Sequence, residues 1–235
     1  MDKLISYQLS EGIATIVLDD GKANVMSERM ILELGHALDQ AEQDNAVVLL
    51  TGRTGVFSAG FDLGTLRAGG ESALRMLNSG FALAARLAEL PLPVIIASNG
   101  HALAMGAFLV LAADLRIGVS GDYKLGANEV AIGLPVPYCA VELCRMRLTP
   151  ACFQRGVLQA EIFNPVDAVQ AGFLDRVVEA HALADTARTA ARHLAQLDRR
   201  SYVETKKRLR HSVLQTLPTA LEQDDASFRQ ILGLS

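Results

Sequence analysis

The chain contains no tryptophan, and aromatic residues make up only 5% of it. Its longest apolar run, ALAMGAFLVLAA from Ala102, falls well short of the about 20 residues that span a bilayer. The N-terminal stretch MDKLISYQLSEG shows no basic segment followed by an apolar one, so the expected compartment is the cytoplasm, with no membrane partner. Cysteine is scarce as well: Cys139, Cys144 and Cys152 are odd in number, lack C-x-x-C spacing and stand among apolar residues, the pattern of reduced core thiols. A basic excess is also missing. With 22 Lys and Arg against 26 Asp and Glu the formal charge is −4 and the pI is near 5.7, so the chain repels phosphate backbones and nucleic acid is not an expected partner.

Several catalytic signatures are absent too. There is no G-x-S-x-G elbow, no G-x-x-x-x-G-K-[ST] phosphate loop, and no H-E-x-x-H or cysteine pair with metal spacing, so no metal site is expected. GHALAMG is not a G-x-G-x-x-G fingerprint. Of His36, His101, His181, His193 and His211, only His101 adjoins a candidate site.

What is present is the composition of a soluble α/β protein, half hydrophobic and one-fifth charged over 235 residues, long enough for one main domain with an appendage. ISYQL, SEG and IATIVLDD read as a β-hairpin. Ser27 stands as an N-cap before a helix whose apolar residues Ile31, Leu34, Ala37, Leu38 and Ala41 recur at helical spacing. AVVLLTG and PVIIASNG read as buried strands, with the helix ESALRMLNSGFALAARLAEL between them. A helix from about Met105 to Ala113, a strand LRIGV and a short strand around YKLG follow. Buried parallel strands alternating with helices point to an α/β architecture. Beyond Pro150 the chain turns helical apart from DRVVE, and ALADTARTAARHLAQL, SYVETKKRLRHSVLQ and TALEQDDASFRQIL form an amphipathic appendage expected to serve self-association.

Two loop-to-helix junctions carry the candidate chemistry. In VFSAGFDL, residues 56–63, small residues let the backbone approach a bound group and turn its N–H groups outward. In NGHALAMGAF, residues 99–108, the chain leaves a strand and starts a helix whose first N–H groups lack intrahelical acceptors. Two such junctions facing one point make an oxyanion hole.

Taken together these stretches resemble the crotonase superfamily of enoyl-CoA hydratases and isomerases. GKANVMS at 21–27 resembles the family's K-x-N-A-L-S/N, VFSAGFDL its F-x-A-G-x-D-L loop, and NGHALAMGAFLVLAADLRI the segment from N-G-x-A-x-G-G-G to C-D-x-R-I. NEVAIGL resembles its P-E-x-x-x-G-L, and FNPVDAVQAGFLDRVV its A-x-x-A-x-x-x-G-L-V-D-x-V-V. The resemblance implies an α/β spiral of strand-strand-helix repeats: a core over residues 1–180 with the CoA-thioester site, and a C-terminal helical region over 181–235 that forms a homotrimer or a dimer of trimers. It implies an acyl-CoA substrate of the fatty acyl type, with coenzyme A as part of the substrate and no separate cofactor. Carried over by position, the oxyanion donors are the N–H groups of Phe61 and Met105. Ala59, Phe61, Asp62 and Leu63 are expected on the CoA-binding loop, with the adenine near Ala59, Phe61 and Leu63 and the pantetheine near Lys22 and Ala23.

Family hydratases use two glutamates. Phe108 occupies the first position and Glu129 the second, Asn128 replaces the usual preceding proline, and LPVPY at 134–138 replaces the frequent P-G-A-G-G run. One glutamate in apolar surroundings suits a shuttle that takes a proton from carbon 2 of a 3-enoyl thioester and returns it to carbon 4. Isomerisation is therefore the expected reaction, hydration of 2-enoyl-CoA the alternative. Two further readings are a non-catalytic CoA-thioester-binding scaffold and a decarboxylase or hydrolase using His101 or Tyr138. Glu129 could instead cap a short helix or pair with an arginine. Asp114 is expected to tie strand to helix and Asp62 to fix its loop. The basic run from Arg199 to Arg210 is expected as a solvated helix face, with contact to CoA phosphates as a second role.

Overall fold

The computed structural model describes residues 3–234. Met1 and Asp2, which open the N-terminal stretch read above, and Ser235 lie outside it.

Strands β1 (Ile5–Ser10) and β2 (Ile13–Leu18) form the hairpin. Glu11 and Gly12 both have positive φ, 54° and 72°, the two-residue turn whose twist matches antiparallel strands. Helix α1 (Glu28–Gln43) begins at Ser27, whose side chain accepts from the Met30 N–H, and buries Met30, Ile31, Leu34, Ala37, Leu38 and Ala41. There follow β3 (Val47–Thr51), β4 (Gly55–Ser58), α2 (Leu63–Ala68), α3 (Gly70–Glu89), β5 (Val94–Ser98), β6 (Gly100–Leu103), α4 (Met105–Ala112), β7 (Leu115–Val119) and β8 (Leu125–Gly126). The chain continues through α5 (Tyr138–Arg147), α6 (Pro150–Leu158), α7 (Pro165–Ala171), β9 (Arg176–Val178), α8 (Leu183–Ala195), α9 (Arg199–Leu209) and α10 (His211–Leu232).

A six-stranded sheet runs β1-β2-β3-β5-β7-β9, parallel throughout except for the β1–β2 hairpin. One apolar core fills the space between this sheet and helices α1, α3, α4, α5 and α10. A smaller one lies on the opposite face, where α8 covers β3, β5 and β7 with Leu183, Ala187 and Ala191.

The structure adds to the sequence reading at three places. The two candidate junctions are strands as well as loops: β4, β6 and β8 form a separate three-stranded parallel sheet. Four residues or fewer with glycines at their ends are too short to show a periodicity. In the tail, the joint expected near Pro218 lies instead at Arg210, and α10 runs through Pro218 unbroken. The apolar face carrying Val213, Leu217, Ala220 and Phe228 packs into the main core, and that burial outweighs the one backbone hydrogen bond a proline removes.

The third concerns the basic run, which is not simply a solvated face. Lys206 and Arg210 are buried. The Lys206 Nζ lies 2.8 Å from Asp114 Oδ2 and donates to Leu92 O at 3.1 Å. The Arg210 guanidinium pairs with Asp114 Oδ1 at 2.6 Å and donates to Ala88 O, Ala112 O and Ala113 O. These carbonyls end α3 and α4, where cations are favoured by the helix dipole. Asp114 also accepts from the Val94 N–H at 2.8 Å, so it ties strand and helices as expected.

Candidate active site

The first junction is held by its own backbone. Asn24 is buried with φ 50° and donates to Leu18 O and Phe57 O, fixing the Lys22–Ala23 loop against the end of β4. Ala23 O accepts from the Ala59 N–H at 3.0 Å, the Gly60 N–H donates to Ser58 Oγ at 3.2 Å, and Gly60 O accepts from the Met26 N–H at 2.8 Å. Asp62 caps α2 through the N–H groups of Gly64 and Thr65 and the Thr65 hydroxyl, which hold its carboxyl below the ordinary range. Asp62 therefore fixes the loop, as expected.

At the second junction Ala104 has φ 49° and ψ −124°, a strained conformation costing about 1–3 kcal/mol for a non-glycine residue. Its carbonyl starts α4 by accepting from Ala107 and Phe108, and its N–H goes to Gly126 O at 3.0 Å. The Met105 N–H is the first of α4 and has no acceptor in its own helix. Among the described residues, neither the Phe61 nor the Met105 N–H enters a turn or loop hydrogen bond.

The two junctions abut. A Cβ on Gly60 would come 3.6 Å from Met105 N and 2.9 Å from Ala104 Cβ, and one on Gly106 would come 2.4 Å from Ser58 O. Glycine at both positions lets the backbones carrying the two N–H groups close on each other.

Beside them is a cavity of about 240 Å³. Its wall brings together Ala59, Phe61 and Leu63 from the first junction, Ala104 from the second, and Glu129. Met105 meets this group through its neighbour Ala104, whereas Lys22 and Ala23 lie off the wall and join it through the Ala23–Ala59 hydrogen bond. Among the described residues Glu129 is the one ionisable side chain on the wall. It is 8% exposed and its Oε2 has no hydrogen-bond partner. Among the described residues it makes no side-chain cap to the 3-10 turn Val130–Ile132 that follows it, and no ion pair with an arginine. Burial pushes its carboxyl up to about 7, outweighing the pull of the backbone N–H groups of Glu129 and Asn128. A carboxylate left unpaired in an apolar wall is suited to exchanging a proton near neutral pH.

Phe108 is fully buried within α4, its ring 6.0 Å from that of Phe81. It is not on the cavity wall. The His101 Nδ1 accepts from the Lys124 N–H, and its ring meets Tyr123 edge-on. The Tyr138 N–H donates to Asp224 and its side chain is exposed. Neither lines the cavity.

A family model described as enoyl-CoA hydratase/isomerase matches residues 8–233. The chain belongs to the enoyl-CoA hydratase/isomerase family. The 1,2-epoxyphenylacetyl-CoA isomerase of Escherichia coli is 30% identical, over 100% of this chain and 92% of that one. Among solved structures, an enoyl-CoA hydratase/isomerase family protein from Pseudomonas syringae is 43% identical with a TM-score of 0.93, covering 95% of this chain and 97% of that one. An enoyl-CoA hydratase from Mycobacterium marinum is 38% identical with a TM-score of 0.92, covering 96% and 99%. The expected crotonase fold, including its C-terminal helices, is thus present, and this hydratase/isomerase chain has both isomerases and hydratases among its relatives.

Sequence reasoning missed part of the wall. Leu77 and Phe81 of α3, and Phe228, Ile231 and Leu232 of α10, complete it. Both sets sit at i, i+3 or i+4 spacing, a signal that marks a buried face but does not say what it faces.

Proposed function

We propose that the chain converts 3-enoyl-CoA to 2-enoyl-CoA. The thioester oxygen is held by the Phe61 and Met105 N–H groups, and Glu129 carries a proton from carbon 2 to carbon 4. Loss of the carbon 2 proton puts negative charge on the thioester oxygen, where each preorganised donor is worth about 3–4 kcal/mol. Glu129, ionised, takes the proton; the π electrons shift; Glu129 returns the proton at carbon 4. The cavity wall is the observation that supports isomerisation over hydration: it holds one carboxyl group, and the position of the hydratases' other glutamate is occupied by Phe108, outside the wall. The reading extends to an assembly of three or six chains in the cytoplasm.

Incubation with 3-enoyl-CoA and, separately, with 2-enoyl-CoA tests it. Gain of conjugated-thioester absorbance from 3-enoyl-CoA without a change in mass supports isomerisation. Product heavier by one water from 2-enoyl-CoA supports hydration instead, and tight binding without turnover of either supports a scaffold.

A further inference from the structure

The inner lining of the cavity speaks to the acyl group it takes. Its two ends differ. Leu63, Ile132 and Ile231 on the wall are exposed over about half their surface, so they form the mouth. Phe81 and Phe228 are buried and stack with centroids 5.8 Å apart, closing the opposite side. Phe61 packs on Phe81 at 5.6 Å. Among the described residues the only polar side chains on the wall are Asn128 and Glu129, adjacent in sequence, so the rest of that lining offers a ligand no side-chain hydrogen bond.

Phe228 is held in place from two sides. Asp224, one turn earlier on α10 and buried, accepts from the Tyr138 and Cys139 N–H groups at 2.7 and 2.9 Å. The neighbouring Asp225 accepts from Asn78 of α3. The wall that α10 contributes is therefore latched to both α5 and α3.

At the roughly 30 Å³ that a water-sized group occupies in a liquid, 240 Å³ holds about eight methylene-sized groups. We infer that the site selects an unsubstituted hydrocarbon acyl chain of medium length, about eight carbons, and that Phe228 sets its upper limit. This rests on the acyl-CoA reading above and adds the length limit of the acyl group, its lack of substituents and the residue that sets the limit.

Calorimetric binding of saturated acyl-CoAs from butanoyl to hexadecanoyl tests the inference without requiring turnover. Affinity is expected to rise about fourfold per added methylene until the cavity is full, then level off near octanoyl-CoA. 8-Hydroxyoctanoyl-CoA is expected to bind roughly tenfold or more weakly than octanoyl-CoA, because its hydroxyl enters the apolar end unpaired. Phe228→Ala is expected to move the plateau to longer chains. Ile231→Trp, at the half-exposed mouth and tolerant of folding, is expected to move it to shorter ones. Affinity that climbs evenly to hexadecanoyl-CoA, or a plateau that neither variant moves, overturns the inference. Turnover of 3-enoyl-CoA with no length preference leaves the isomerase reading standing and this one refuted. A plateau at octanoyl-CoA with no isomerisation does the reverse.

Discussion

Glu129 joins two properties that can be measured apart. Its carboxyl is raised from 4.5 to about 7 by burial, so the folded protein holds this proton more tightly than the unfolded chain does. The stability that the neutral form provides is complete below pH 4.5 and is lost as the pH rises through about 7. Glu129→Gln removes that loss, and at pH 8 it is expected to be more stable than the parent by up to about 3 kcal/mol, read from denaturant unfolding at pH 4 and pH 8. Gain of stability with loss of activity is the signature of a group retained for chemistry. The oxyanion donors are main-chain atoms, so their test lies in a neighbour. Gly60→Ala places a methyl group 2.9 Å from Ala104 Cβ at a residue with φ 97°, and the displaced N–H groups are expected to lower kcat roughly 10²–10³-fold in the absorbance assay. Glu129 and both junctions were legible in the sequence because their motifs are local. The apolar surroundings of Glu129 were legible too, but not the elements that supply most of them, since the rings and aliphatic chains on the wall come from α2, α3 and α10, far apart in the chain.

At the scale of elements, the tail helices hold the core through charge. Asp114 stands 92 residues before Lys206 and 96 before Arg210 in sequence, yet the three form one largely buried cluster at the ends of α3 and α4. A spacing rule reads K-K-R-L-R as a surface stripe because it cannot see the carbonyls and carboxylate waiting 92 to 122 residues upstream. Within the cluster, burial lowers the Lys206 ammonium to about 8 against the attraction of Asp114. Removing Arg210 leaves Asp114 and three carbonyls short of a partner, and Arg210→Ala is expected to destabilise the protein by about 3–5 kcal/mol in chemical unfolding. Arg208, next to it and exposed, is expected to change stability by less than about 0.5 kcal/mol when replaced by alanine.

For the whole molecule, the order of the motifs made the α/β spiral legible, because most of them mark a strand-to-helix passage and the last, FNPVDAVQAGFLDRVV, the return from α7 to β9. Of the β4-β6-β8 sheet only the short strand at β8 was legible, as YKLG; β4 and β6 are too short for an alternation to show. Among the described residues no helix is long and apolar enough to cross a membrane. Several large apolar side chains nevertheless face outward on helices, among them Leu158, Val166 and Leu209, the last 80% exposed. Burying such side chains between copies is favourable, and sedimentation is expected to show assemblies of three or six 25.2-kDa chains. The central claim, a single carboxyl group moving the proton, is tested most directly by kcat/KM for 3-octenoyl-CoA across pH, in the parent and in Glu129→Gln. The parent is expected to lose activity as the pH falls through about 7, and the variant to be slower by about 10²–10⁴-fold with no such limb. Full activity in Glu129→Gln would contradict the account.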